Sequence, residues 1–165
     1  MIQDKEKKIK IEDDNKDFFE TFFSFKNIEN NLIYLKINFK NQNIIKSNLF
    51  EKINNFKSLR YLYIGNFIFD NIMTFKLENI IILSCKNCNN ISIAENFGIK
   101  IEKLDLRGNE ILNINNLENA NFKELKELNL NDNYISDIKV LEKVKIEKLE
   151  IFLQFLFFFL YLESK

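Results

Sequence analysis

An α/β solenoid is the fold class this sequence predicts: a concave parallel sheet of about six short strands, backed by a convex side of loops, 3₁₀ turns and short helices. Three observations predict it. Leu125, Leu128, Leu130, Asn133, Ile135, Ile138 and Leu141 repeat, slot for slot, a phrase spelled 24 residues upstream by Ile101, Leu104, Leu106, Asn109, Ile111, Ile114 and Leu117. Around each phrase's central pair the residues alternate, so that Leu104 and Leu106 point inward while Lys103, Asp105 and Arg107 point out, as in a strand. The later apolar positions fall every third residue, which suits a tight turn or a 3₁₀ segment on the opposite side.

Followed outward, the pattern defines further units. Ile80, Leu83, Cys85 and Cys88 precede the clean pair, with Cys88 in the Asn slot 21 residues before Asn109. A second register, Leu77, Ile80, Ile82 and Cys85, also fits, but it crowds the unit before it. That earlier unit runs Leu59, Leu62, Ile64, Phe67, Phe69, Ile72 and Phe75, with Phe67 in the Asn slot. A fainter start reads Leu32, Leu35, Ile37 and Lys40, and a last one Ile146, Leu149, Ile151 and Gln154. The longer first unit has room for a helix, with Ile45, Leu49, Ile53 and Phe56 at helical spacing and Ser47 as N-cap. Ahead of the array, Asp17 and Glu20 form a capping pair before Phe18, Phe19, Phe22 and Phe23, which predicts an N-terminal cap helix over 17–24.

The residue types follow from the stacking. An Asn after the strand, where the chain turns inward, carries an amide that can pair buried backbone groups lacking a ladder partner. Asn109 and Asn133, with Cys88 in the same slot, are therefore the expected structural anchors. Each buried aliphatic contributes roughly 1.5–3 kcal/mol, and one unit alone cannot offset its ordering entropy. Stability is expected to belong to the stack.

These phrases resemble the leucine-rich-repeat superfamily, and the N-x-I-x-x-I-x-x-L continuation is similar to its short-repeat class, which includes protein phosphatase regulatory subunits and axonemal dynein light chains. The resemblance covers residues 32–154 and is sharpest over 101–141. It implies a right-handed horseshoe with a protein-binding concave face and brings no catalytic residue with it. Phe67, Lys40 and Gln154 depart from the pattern at the anchor slot, where Cys88 is an accepted occupant.

Composition excludes more than it assigns. The 165 residues fit one domain, and 24 basic side chains balance 24 acidic ones, so no net field draws the chain to nucleic acid or anionic lipid. With no His, the usual neutral-pH proton shuttle is missing, and no nucleophile–base pair can be assembled. The wealth of Phe, Ile, Lys and Asn, beside no Pro and no Trp, follows A/T-rich codons and says little about function. Cys85 and Cys88 form a CxxC, yet a structural zinc site needs four ligands and there is no third Cys. Both cysteines fall in repeat slots, so packing is their expected role. Asn129, Asn131, Asp132 and Asn133 lack the Gly and the terminal Glu of a calcium loop. No metal, cofactor or enzymatic activity is expected.

The expected function is a protein-interaction scaffold. Alternation places Tyr34 and Lys36, Tyr61 and Tyr63, Ser84 and Lys86, Lys103, Asp105 and Arg107, then Glu127, Asn129 and Asn131 on the concave stripe. Tyr34, Tyr61 and Tyr63 are the expected hot spot, because Tyr adds contact area cheaply. The charged end, from basic Lys103 and Arg107 to acidic Glu127 and Glu150, is expected to set orientation. The predicted organisation is a charged, unstructured segment over 1–16, a cap over 17–31, repeats over 32–154 and an apolar tail over 155–165. The run IFLQFLFFFLYL at 151–162 is too short for a transmembrane helix and admits several readings: a terminal cap, a docking or membrane-surface segment, or the truncated end of a longer repeat protein. A monomer in the cytoplasm is expected, with no nucleic-acid partner, and a membrane-associated adaptor using the tail is the alternative.

Overall fold

The units from Leu35 and Ile37 to Leu128 and Leu130 lay their central apolar pairs on the same side of one sheet. In the computed structural model, which describes residues 7–11, 31–45, 51–74, 79–92, 100–118, 120, 122–144 and 146–150, this gives eight strands. They are β1 (Lys7–Ile11), β2 (Leu32–Ile45), β3 (Tyr61–Thr74), β4 (Ile82–Lys86), β5 (Asn89–Ser92), β6 (Lys103–Asp105), β7 (Glu127–Asn129) and β8 (Lys148–Glu150). Seven stack in the order β1-β2-β3-β4-β6-β7-β8, all parallel, while β5 pairs with the far half of β3. Parallel strands joined by excursions to the other side make a solenoid.

Register follows the apolar slots. Leu35, Leu62, Leu83, Leu104, Leu128 and Leu149 are successive partners along the sheet. Leu83 therefore sits against Leu104 and Cys85 against Ile64, which leaves Cys88, not Cys85, in the anchor slot. The first five of these leucines are buried, as are Ile37, Ile64, Cys85, Leu106 and Leu130, and they form one continuous core. On the side opposite the sheet, 3₁₀ segments at Glu51–Asn55, Asn115–Glu118 and Lys139–Lys143 close the coil, burying Ile53, Leu117 and Val140. Two of them start alike: Asn113 Oδ1 accepts from the Asn115 N–H at 2.7 Å, and Asp137 Oδ1 accepts from the Lys139 N–H at 2.9 Å. Such Asx turns begin a helical turn without a longer helix.

The N-terminal third departs from expectation in three ways. Residues 7–11, expected to be unstructured, form β1, because the alternation Lys8, Ile9, Lys10, Ile11 turns Ile9 and Ile11 toward the core opposite Leu35 and Ile37. This adds a strand to the expected six. The helix expected through Ile45, Leu49, Ile53 and Phe56 is replaced at its ends by strand and 3₁₀ turn: Ile45 belongs to β2, and Ile53 lies in Glu51–Asn55. Finally, β2 and β3 are 14 residues each rather than short. The expected cap helix over 17–24, Gln154 and the apolar tail lie outside the described residues. Among those described, no helix is long and apolar enough to cross a membrane.

Strand length explains the irregular anchor slots. β2 and β3 pair twice, first from Tyr34/Tyr61 to Asn38/Gly65 and again from Asn43/Phe67 to Ile45/Phe69, with an outward shift between. Backbone beyond the slot thus already has ladder partners, and the Phe39 carbonyl accepts from Asn66 Nδ2, whose amide lies outside the slot, so the slot itself can be apolar. Phe67 fills it, fully buried, with its ring 5.0 Å from Phe39 and 6.0 Å from Phe69 in edge-on geometry. The shift brings Phe39 inward to meet it and leaves Lys40 exposed, so the first unit's slot is occupied by Phe39. In β6 and β7 the ladder stops after three residues, and there the slots hold Asn109 and Asn133.

One further column marks where each coil turns its corner. Asn66, Asn87, Gly108 and Asp132, each immediately before a slot residue, all have positive φ, at 61°, 51°, 68° and 56°. Asn, Asp and Gly tolerate this left-handed conformation best.

Candidate binding face

The outward alternation lines up three rows across the sheet. Lys8, Tyr34, Tyr61, Ile82, Lys103, Glu127 and Lys148 form one. Lys10, Lys36, Tyr63, Ser84, Asp105, Asn129 and Glu150 form the next. Asn38, Gly65 and Lys86 begin a third. The residues assigned to the stripe on β2 to β7 therefore lie together; Arg107 and Asn131 follow the ends of their strands, and Arg107 still reaches the same face beside Asp105. Lys8 and Lys10 were missed because 1–16 read as unstructured; the Lys-Ile-Lys-Ile alternation was the available signal.

This face is hollow. A cavity of about 350 Å³ lies over β4 to β8, walled by Tyr63, Lys86, Lys103, Arg107, Glu127 and Lys148. Its floor is nearly closed to solvent: Ser84 is 4% exposed and Asn129 9%. Ser84 and Asn129 lie on the expected stripe but are recessed, since long neighbours on adjacent strands overhang short side chains. Asn129 is held by two contacts, its Nδ2 donating to Glu150 and its Oδ1 accepting from the Asn131 N–H at 3.0 Å.

Charges at this end pair with one another, both between strands and within a coil, rather than segregating into basic and acidic zones. Lys103 Nζ meets Glu127 Oε1 at 2.6 Å, and Lys148 Nζ meets Glu150 Oε1 at 2.7 Å. Asp105 takes two cations: Arg107 donates to both of its oxygens, Nη2 at 2.8 Å and Nε at 3.0 Å, while Lys86 approaches to 3.3 Å. Burial opposes the Asp105 charge, but the Arg107 guanidinium and Lys86 ammonium outweigh it and hold the carboxyl below its usual range. The hydrogen bond from Lys103 likewise lowers Glu127.

The tyrosines form a separate group. Tyr34 and Tyr63 stack with ring centroids 5.3 Å apart and planes tilted by 35°, and Tyr61 is the register partner of Tyr34. Burial, followed by the neighbouring phenols of Tyr34 and Tyr61, pushes the Tyr63 hydroxyl up, so it remains a donor at neutral pH.

The two cysteines lie on the inner side. Both are buried free thiols, and the Cys88 thiol donates to the Lys86 carbonyl at 3.2 Å. Burial pushes Cys88 up to about 12 and Cys85 well above its ordinary value, which leaves neither with thiolate character. Among the described residues, no group of three His, Cys, Asp or Glu is placed to hold a metal ion. Compared with known proteins, the chain matches no protein family and no curated protein.

Proposed function

We propose that this chain is a non-enzymatic interaction scaffold of the leucine-rich-repeat type, which grips another protein through the concave, polar face of its sheet. The observation that carries this reading is the hollow over β4 to β8 bordered by a preformed tyrosine stack. A recessed floor with long side chains around it gives a partner's side chains somewhere to enter, and stacked rings lose little entropy on contact. The anchor asparagines and the three-residue strands of β6 and β7 support the repeat type, since they couple a short ladder to an amide that completes it.

The test is a capture experiment from native lysate using the wild-type chain, a Tyr61→Ala/Tyr63→Ala variant and a Lys139→Ala/Glu142→Ala variant on the opposite side. The tyrosine variant is expected to lose a partner that the other two retain. Identical partner sets for all three would remove the proposed face.

A further inference from the structure

We infer that the hollow over β4 to β8 receives a glutamate side chain from the partner protein, whose carboxylate is held by Lys86 and Ser84. The inference rests on the scaffold reading above and names the group that enters the hollow.

At every ion pair around the hollow the cation stands higher than its carboxylate. Lys86 and Arg107 are 43% and 42% exposed, against 20% for the Asp105 that they share. Lys103 at 47% overtops Glu127 at 39%, and Lys148 at 61% overtops Glu150 at 39%. A partner settling on this end of the sheet therefore meets ammonium and guanidinium groups first. The existing pairs do not exhaust these groups, since a Lys carries three N–H donors and an Arg five.

Charge around the hollow does not balance. Its lining holds the cations Lys86, Lys103, Arg107 and Lys148 but only three carboxylates, Asp105, Glu127 and Glu150. Lys103 and Lys148 each have a carboxylate of their own, whereas Lys86 and Arg107 divide Asp105 between them. Arg107 engages both Asp105 oxygens and draws further on Glu150 and Asp132. The surplus falls on Lys86, whose ammonium reaches Asp105 at 3.3 Å. Open to water, it costs little. Once a partner closes over the hollow, an uncompensated ammonium becomes expensive, and one carboxylate brought by that partner restores neutrality.

The floor decides how the carboxylate arrives. Ser84 lies two residues before Lys86 on the same face of β4, in register with Tyr63 on one side and Asp105 on the other. Ser84 is the shortest of these four side chains and lies at the bottom of the recess. A glutamate reaching down from a backbone on the rim brings only methylenes past Tyr63 and sets its carboxylate before two donors, the Ser84 hydroxyl and the Lys86 ammonium. A chain terminus would instead carry backbone N–H groups into a recess whose carboxylates already have cations. A nucleic acid would lay one phosphate after another, and those beyond the first would meet Glu127 and Glu150.

Two-dimensional NMR of the ¹⁵N-labelled full chain tests the assignment. The probes are an N-acetylated, C-amidated Ser/Gly peptide with one central Glu, the same peptide with Gln, a Ser/Gly peptide ending in a free carboxylate, and inorganic phosphate. The Glu peptide is expected to shift the Ser84, Lys86 and Asp105 amides saturably and to bind more weakly at high salt. Lys86→Gln should weaken it about tenfold and Ser84→Ala severalfold. Lys139→Gln, which removes the same charge from the opposite side, should stay within about twofold. Thermal unfolding of each variant checks that the fold is unchanged. Equal binding of the Gln peptide, no saturable shift at these amides, an equal loss in Lys139→Gln, or tighter binding of the free terminus or of phosphate would each overturn the inference. If tyrosine-dependent capture persists while the Glu peptide fails to bind, the entering glutamate is removed and the scaffold reading stands.

Discussion

Asn133 is bonded to the backbone of Asn109, its counterpart one repeat earlier: Asn133 Oδ1 accepts the Asn109 N–H at 3.0 Å and the Ile111 N–H at 3.0 Å. Its Nδ2 donates to the carbonyls of Leu106 at 2.8 Å and Leu130 at 2.9 Å, one in each repeat. Asn109 repeats the reach, its Oδ1 accepting from the Cys88 N–H at 2.6 Å and its Nδ2 donating to the Cys85 carbonyl at 2.7 Å. The amides thus stitch each coil to the one before it, where the strand ladder has ended.

Removing such an amide strands buried backbone groups at about 1–3 kcal/mol apiece. Asn133→Ala is therefore expected to cost more than about 3 kcal/mol, and Asn109→Ala somewhat less, because Asn109 serves fewer groups. Lys40→Ala, outside the slot, should change stability by less than about 0.5 kcal/mol. Urea unfolding measures all three; equal midpoint shifts would contradict the stitching role.

Phe67 reads as a lapse in the anchor pattern, and the packing says otherwise. Phe67→Asn restores the repeat's usual residue but empties a fully buried ring site between Phe39 and Phe69 and buries an amide beside an already paired ladder. Destabilisation of about 3–5 kcal/mol is expected, comparable with truncation of a core Phe. A variant as stable as wild type in thermal unfolding would refute the aromatic mode of the N-terminal coils.

Gly108 combines φ of 68° with a close approach, since a Cβ there would lie 2.2 Å from Asn87 Oδ1. Gly108→Ala should cost upward of about 1–2 kcal/mol from the backbone alone. Adding Asn87→Gly removes the clashing oxygen and tolerates the same left-handed geometry at position 87, so the double variant should recover part of the loss. Full additivity in a double-mutant cycle would show that the clash does not matter.

The buried thiols make the fold sensitive to alkali. In the unfolded chain Cys88 titrates near the ordinary 9.0, whereas in the fold it holds its proton to about 12. Between those values the unfolded state binds fewer protons than the native one, so stability falls as pH rises. The thiol's contribution, up to about 4 kcal/mol, is complete below pH 9 and lost by about pH 12. Cys85→Ala/Cys88→Ala should flatten this slope in chemical unfolding measured across the range. Both thiols should react with a disulfide reagent only after denaturation; prompt reaction in the native state would place them elsewhere.

Local pattern carries much of this protein. Alternation about Leu104, Leu106, Leu128 and Leu130 and the spacing to Asn109 and Asn133 determine strand, turn and anchor, because each depends on residues close in sequence and on a period that every coil repeats. The Tyr and Lys positions of the face follow from the same alternation. What only the tertiary structure decided depends on neighbours 21 to 27 residues away. Strand pairing makes β1 of a short charged segment, extends β2 and β3, and selects Phe39 over Lys40 for the slot, where ladder partners and the Asn66 amide serve the backbone. It also neutralises Lys103, Asp105, Arg107 and Glu127 among themselves. Charge signs are written in the sequence; which of them face each other is set by strand register.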